Sequence, residues 1–286
     1  MNSLRLFIAR KFIVRAFIVT FIALSLGAAG WADDTPSTAE GCNVAVASVP
    51  SRPTVTSATD TTQCGVVEME YGLERQWTGA GANRDDFTGG FRFGVTPKLD
   101  VHWSSSDFLH VMDGTGDRTG FGDTWVGFRY RFSNQTRHRP AFGMLYSAKL
   151  GSASLGLGGT DRVDHEFAFL ASKDVRRVHF DFNVLPLVAG REGASGHDYN
   201  TGFALSSAVP VTRRWGVVAE GYGYTQLNEQ TPGFASTMLG CTYAASSRLV
   251  LDSGVDVGVS AGAPRRRVYA GVTYAMGNIY SRMRER

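Results

Sequence analysis

The chain has 286 residues, with 29 Lys and Arg against 26 Asp and Glu, 43% hydrophobic and 19% charged residues, 34 glycines, 18 Phe and 10 Tyr. Glycine, near 12%, stands well above its usual share of about 7%. The net charge of +3 belongs to the first 32 residues, which hold Arg5, Arg10, Lys11 and Arg15 and no acid; without them 25 bases face 26 acids, and the electrostatic case for a nucleic-acid partner disappears.

Residues 1–15 read as a cationic leader region, and Ala16–Leu26 (AFIVTFIALSL) as the apolar core of a signal peptide. Gly30 and Ala32 occupy the −3 and −1 positions of a cut before Asp33, so residues 1–32 are expected to be a cleaved export signal. The alternative, an uncleaved anchor over 12–29, is interrupted by Arg15 and falls short of the roughly 20 apolar residues a spanning helix needs. Residues 33–63 are rich in Thr, Ser, Ala and Pro without hydrophobic periodicity, and predict a flexible N-terminal extension. The other reading of this stretch is a small plug inside a barrel. Cys42 and Cys64 could close a disulfide across it or remain thiols, while Cys241 sits alone in an apolar alternation; there is no CxxC, zinc-type Cys/His cluster or lipobox.

From Cys64 onward the texture changes to alternating segments of about ten residues separated by turn residues. Val67, Met69, Tyr71 and Leu73 alternate with Glu68, Glu70 and Glu74, then Phe91, Phe93 and Val95 with Gly90, Arg92 and Gly94. After Thr96-Pro97-Lys98, Leu99, Val101 and Trp103 face away from Asp100, His102 and Ser104. Val126, Phe128, Tyr130 and Phe132 oppose Arg129 and Arg131; Phe142, Met144, Tyr146 and Ala148 oppose Ser147 and Lys149. Val163, Phe167 and Phe169 oppose Asp164 and Glu166, with His165 a polar exception on the apolar side. Val178, Phe180, Phe182 and Val184 oppose Arg177, His179, Asp181 and Asn183, and Tyr199, Phe203 and Leu205 oppose Asn200 and Ser206. Glu220 shares a face with Val218, Tyr222 and Tyr224, which leaves that strand's direction open. Leu239, Cys241 and Tyr243, then Leu249, Leu251 and Val255, then Val268, Ala270, Val272 and Tyr274 complete the series.

This is an all-β pattern of about twelve strands (10–14). The polar faces carry Gly, Ser, Thr and Asn with scattered charges, unlike the Lys- and Glu-rich solvent face of a soluble sheet. The expectation is an antiparallel up-and-down transmembrane β-barrel over residues 64–280, with a basic tail at 281–286; a periplasmic sandwich is the alternative. Asp123, Arg129, Arg131, Lys149, Glu166, Arg177, Asp181, Asp252 and Asp256 lie on the polar faces and are expected to point into the lumen, where charges set what a pore admits or pair across a filled interior.

No catalytic, cofactor or metal site stands out. There is no G-x-S-x-G elbow, His165 near Ser172 and His179 beside Asp181 are scattered hydrolase candidates, and His165-Glu166 lacks the rest of an H-E-x-x-H motif. LGSASLGLGGT (150–160) lacks the G-K-[ST] of a phosphate loop, Asp113–Asp117 reads as a turn more readily than a calcium site, and Arg265–Arg267 as a hairpin-turn charge cluster.

The order of these motifs resembles a family of bacterial outer-membrane barrels, the meta-pathway phenol-degradation or transporter proteins. FRFGVTPKLDVHWS (91–104) and GFGDTWVGFRYRF (120–132) are the segments most similar to it, with RWGVVAEGYG (214–223) and the stretch 249–274 following the same order. The chain departs at Leu150–Ala153, where the family has a Pro-Thr-Gly turn, and at its C-terminal extension SRMRER (281–286). The expected function is a passive outer-membrane channel for small solutes, without a cofactor and in contact with outer-membrane lipid, lipopolysaccharide and the barrel-insertion machinery; the aromatic class of solute is what the resemblance implies. A non-conducting structural or binding barrel and a lipid-ester hydrolase are the alternative functions.

Overall fold

In the computed structural model, which describes residue 42 and residues 45–284 except 192 and 194, the alternating segments become strands. They are β1 (Val66–Trp77), β2 (Asn83–Thr96), β3 (Leu99–Asp113), β4 (Gly116–Gly120), β5 (Thr124–Ser133), β6 (Ala141–Leu150), β7 (Asp164–Val175), β8 (Val178–Gly190), β9 (His197–Pro210), β10 (Trp215–Tyr224), β11 (Phe234–Ala244), β12 (Leu249–Gly258) and β13 (Arg266–Asn278). A six-residue helix, α1 (Ile279–Arg284), follows in place of an extended tail. The leader and residues 33–41 lie outside the described residues, as do 285–286.

Consecutive strands pair antiparallel, and β1 pairs with both β2 and β13, closing the sheet. β3 pairs with β2 and β5, while β4 only extends the far end of β3 as a hairpin, so the closed wall has twelve strands. Closure is what removes every unpaired edge, which a lipid environment does not tolerate. Among the described residues no helix is long and apolar enough to cross a membrane, and the strands carry the crossing.

The burial pattern is that of a soluble protein turned inside out. Phe132, Phe142, Phe169, Phe203, Leu239 and Val255 on the outer wall are exposed, whereas Glu68, Asp100, Arg129, Glu220 and Asp256 on the inner face are almost fully covered. An apolar exterior above a charged interior is stable only with lipid outside. Both ends of the barrel chain and the two-residue turns at 97–98 and 176–177 share one end, which is the periplasmic end of barrels built this way; the longer 151–163 segment lies at the other.

Several local readings change. His165, the polar exception, stays on the outer wall because its Nδ1 meets the Tyr146 hydroxyl at 2.8 Å, with the rings stacked. Arg265–Arg267 is not a simple turn cluster: Arg266 lies over the outer Trp77 ring at 4.3 Å, while Arg267 turns into the lumen. The Asp113 carboxylate is engaged by the backbone of Thr115 (2.8 Å) and by Arg118, and serves the β3–β4 turn. In β10, Val218 and Glu220 are both buried on the inner side, which settles the direction the alternation left open.

Candidate functional site

The lumen has three levels. Its periplasmic half is occupied by residues 45–63. A segment of Ser, Thr and Pro with a few Ala and Val and no helix or strand of its own leaves its backbone N–H groups to find acceptors elsewhere. The inner wall supplies them. Val49 N–H and the Ser48 hydroxyl donate to Glu68 (2.6 and 2.9 Å), and Ser51 N–H donates to Glu70 (2.7 Å). Val55 and Thr56 N–H donate to the two oxygens of Glu220 (3.0 and 2.5 Å), and the Thr56 hydroxyl joins them. Ser57 N–H donates to Asn183 (2.7 Å), Thr59 N–H to Ser172 (2.8 Å) and Thr62 N–H to Asp100 (2.8 Å). The segment thus travels around the inside of the wall, touching β1, then β10, β8, β7 and β3. Its own carbonyls are taken by inward arginines: Arg129 donates to Ala58 and Asp60 (3.2 and 2.6 Å), and Arg92 to Val49. Asp60 pairs with Arg131 at 3.0 Å and Arg52 with Asp252 at 3.3 Å.

Wall glycines make room for this chain. A Cβ on Gly72 or Gly271 would come within 2.2 and 2.3 Å of the Arg52 guanidinium group, and one on Gly94 within 2.1 Å of the Gln63 carbonyl. At the base, Cys42 and Cys64 form a disulfide with Cα atoms 4.7 Å apart. Asn278, the last residue of β13, donates to the carbonyls of both cysteines (2.9 and 3.1 Å). The extension expected to be flexible is therefore bonded to the wall over residues 48–63, because partners for it exist only once the barrel has closed.

The middle level is apolar on one side. Leu145, Ala168, Leu170, Leu185 and Ala204 pack with Tyr222 and Tyr224 along the inner face of β6–β10. A second cluster of Val218, Met238 and Tyr269, with Ala208 against it, continues it toward β13. Below, a cavity of about 490 Å³ separates Arg52–Thr56 from Ser206, Ala208, Val218 and Thr242. Glu166 lies on the inner face of β7, with no hydrogen-bond donor or ion-pair partner among the described residues.

The extracellular level is charged and paired. Lys149 reaches Asp164 at 2.8 Å and Asp123 at 3.6 Å, and donates to the Thr160 carbonyl. Asp123 also accepts from Ser152 and Ala153 N–H (both 3.1 Å), which folds the 151–163 segment against the mouth. Across the lumen, Arg267 pairs with Asp256 and Glu74 (both 3.3 Å), and the Tyr222 hydroxyl donates to Asp256 (2.6 Å).

Of the nine charges expected to face the lumen, Arg129, Arg131, Lys149, Glu166, Asp181, Asp252 and Asp256 lie on inner faces, and Asp123 sits at the mouth one residue before β5. Arg177 does not: it is exposed in the two-residue β7–β8 turn, where the inward alternation has already ended. Glu68, Glu70, Arg92 and Asp100 also lie on inner faces, marked by the same polar-face parity. Glu220 and Arg267 carried no such mark, the first because its strand was ambiguous and the second because it was grouped with a turn.

The hydrolase candidates do not assemble. His165 faces lipid while Ser172 is buried inside. The Ser172 hydroxyl donates to Asp181 (2.5 Å), and both nitrogens of His179 meet carboxylates, Asp174 at 2.6 Å and Asp181 at 3.1 Å. A nucleophile must hand its proton to a base that the third group orients; here a carboxylate separates the hydroxyl from the imidazole.

A closed antiparallel barrel, apolar outside and charged inside, with its termini and the shortest connections between its wall strands at one end, is an outer-membrane β-barrel protein. The chain belongs to the family described as "Putative MetA-pathway of phenol degradation", whose model matches residues 51–276. Among solved structures it is similar to the COG4313 outer membrane channel from Pseudomonas putida F1, at 9% identity, 76% coverage of this chain, 98% of that chain and a TM-score of 0.60. It is also similar to the NanC porin, at 11% identity, 73% and 98% coverage and a TM-score of 0.50. At such identities the likeness establishes the barrel fold. No curated protein sequence matches the chain significantly.

Proposed function

We propose that this protein is a passive channel of the outer membrane for small aromatic or hydrophobic solutes. The observation that carries the reading is the apolar inner wall of Leu145, Ala168, Leu170, Leu185 and Ala204 with Tyr222 and Tyr224. Ala168, Leu170, Leu185 and Ala204 are only 1–6% exposed, closed against one another and against the two tyrosines. Passage needs these side chains to part, and a solute with an aromatic ring restores the apolar contacts that a polar solute would forfeit, at about 25 cal/mol per Å². The charged mouth around Lys149 and Arg267 admits the solute, the apolar wall lowers its free energy midway, and the cavity beside Arg52–Thr56 leads toward the periplasm. The family's description, which names phenol degradation, supports the aromatic class.

The same reading includes export on a cleaved leader, insertion by the barrel-assembly machinery and contact with lipopolysaccharide. Sequencing the mature N-terminus should return Asp33. For the solute, the test is ion current through the purified protein in planar bilayers, with a monocyclic aromatic acid titrated in. The reading expects concentration-dependent interruptions of the current by the aromatic acid and none from an aliphatic acid of similar charge. Equal responses to both would remove the aromatic assignment.

A further inference from the structure

The periplasmic half of the lumen is bridged by a segment of the chain itself, and both ends of that segment meet at one point. Residues 45–63 leave the barrel wall near Cys64, circle the interior and return to Cys42, where the disulfide closes the loop. Without the disulfide the segment would be a tail, anchored at Cys64 alone and free to swing toward the periplasm. With it, the segment is a ring that cannot be withdrawn through its own anchor. We infer that Cys42–Cys64 is the latch of an internal plug, and that this plug sets the width of the conduit. The inference rests on the channel reading for its conductance consequence, though not for the seating of the loop.

Three observations beyond the bond itself carry it. The latch is held from both sides: Asn278 donates to the carbonyls of Cys42 and Cys64, Gly65 N–H donates to the Gly94 carbonyl, and Ile279 N–H donates to the Gly65 carbonyl. Gly65 adopts φ +78°, and a Cβ there would lie 2.3 Å from the Asn278 amide oxygen, so the backbone at this point is shaped around the clamp. The plug is fastened by groups that tolerate water. Glu68, Glu70, Glu220 and Asp252 become ordinary lumen carboxylates when the loop leaves, which makes an unseated state accessible where an apolar interface would forbid it.

Release has a definite electrical consequence. The wall behind the plug carries Glu68, Glu70, Asp100, Asp181, Glu220 and Asp252 against Arg92, Arg129 and Arg131. Removing the loop takes away Arg52 and Asp60 together, with no change in net charge, and exposes a wall in which acids outnumber arginines. The opened pore should therefore be wider and should favour cations.

The test compares the full-length, detergent-folded protein before and after a dithiol reductant, and repeats the comparison with the Cys42→Ser/Cys64→Ser double variant. Two readouts are taken. Amide hydrogen exchange over residues 48–62 reports seating without reference to conduction. Single-channel recording in planar bilayers reports width and the cation-to-anion ratio. Reduction should speed exchange at Val49, Ser51, Thr56 and Thr62 by about tenfold or more while the strands stay protected. Conductance should rise severalfold with a shift toward cations. Unchanged exchange over 48–62 after confirmed reduction overturns the latch. Faster exchange with unaltered conductance, in a protein that does conduct, overturns the plug's control of width. Faster exchange in a protein that never conducts leaves the latch standing and removes the channel reading.

Discussion

The attachment of the lumen loop to Glu220 gives the sharpest quantitative expectation. Glu220 is 3% exposed, and its two oxygens accept the N–H groups of Val55 and Thr56, at 3.0 and 2.5 Å, together with the Thr56 hydroxyl. Replacing it with glutamine keeps the shape and one acceptor oxygen, but turns an NH₂ group toward the other backbone donor. One charge-assisted hydrogen bond worth about 1.5–3 kcal/mol is lost, and a buried N–H is left facing a donor at a further cost of about 1–3 kcal/mol. After local relaxation, seating should weaken by about 2–4 kcal/mol, a factor of about 30 to 1,000 in the seating equilibrium. Hydrogen exchange resolved to single amides is the assay. Val55, Thr56 and their neighbours to Thr62 should exchange much faster in Glu220→Gln, with β1–β13 unaffected. If these amides keep their wild-type protection, the loop is not held by the inner carboxylates, and the argument from the wall's acceptors fails.

Other substitutions separate the levels of the lumen. Glu166→Gln removes a carboxylate with no donor or cationic partner among the described residues, so it should change stability by less than about 0.5 kcal/mol in urea titration while lowering cation preference in reversal-potential measurements. Gly94→Ala should cost about 2–3 kcal/mol in the same titration, because the new methyl meets the Gln63 backbone at 2.1 Å; Gly72→Ala meets only the mobile end of Arg52 and should cost less than about 1 kcal/mol. Leu170→Ala, which opens the apolar wall without burying a charge, should weaken block of the ion current by an aromatic acid about tenfold, corresponding to the loss of about 1.4 kcal/mol of apolar contact, and should cost about 2–5 kcal/mol in the urea titration.

The twelve wall strands were legible because lipid and lumen demand opposite chemistry at every second residue, and that demand is local. Phe142, Met144 and Tyr146 against Gly143 and Ser147 state it within six positions. β4 was not legible: Gly116–Gly120 carries no alternation, since its hairpin rises past the wall and separates no two environments. Arg177 shows the limit of the rule, because polar alternation continues one residue into a turn where parity has no meaning. Residues 45–63 could be read either as a flexible extension or as a small plug, and nothing in their sequence chose between the two. Thr56 and its acceptor Glu220 are 164 residues apart, and a run of Ser, Thr and Pro looks the same whether its amides bond to water or to carboxylates. Composition did hold a trace of the docking, in the excess of glycine: Gly72 and Gly271 are wall positions that leave room for the Arg52 side chain, and Gly94 one that leaves room for the loop backbone.

The most direct test of the account is single-channel recording on the oxidised, full-length protein in planar bilayers, after a heat-dependent shift in gel mobility has verified that the barrel is folded. A latched loop beside a residual cavity of about 490 Å³ predicts small, discrete conductance steps. A bilayer that stays sealed with verified, folded protein present would contradict the channel.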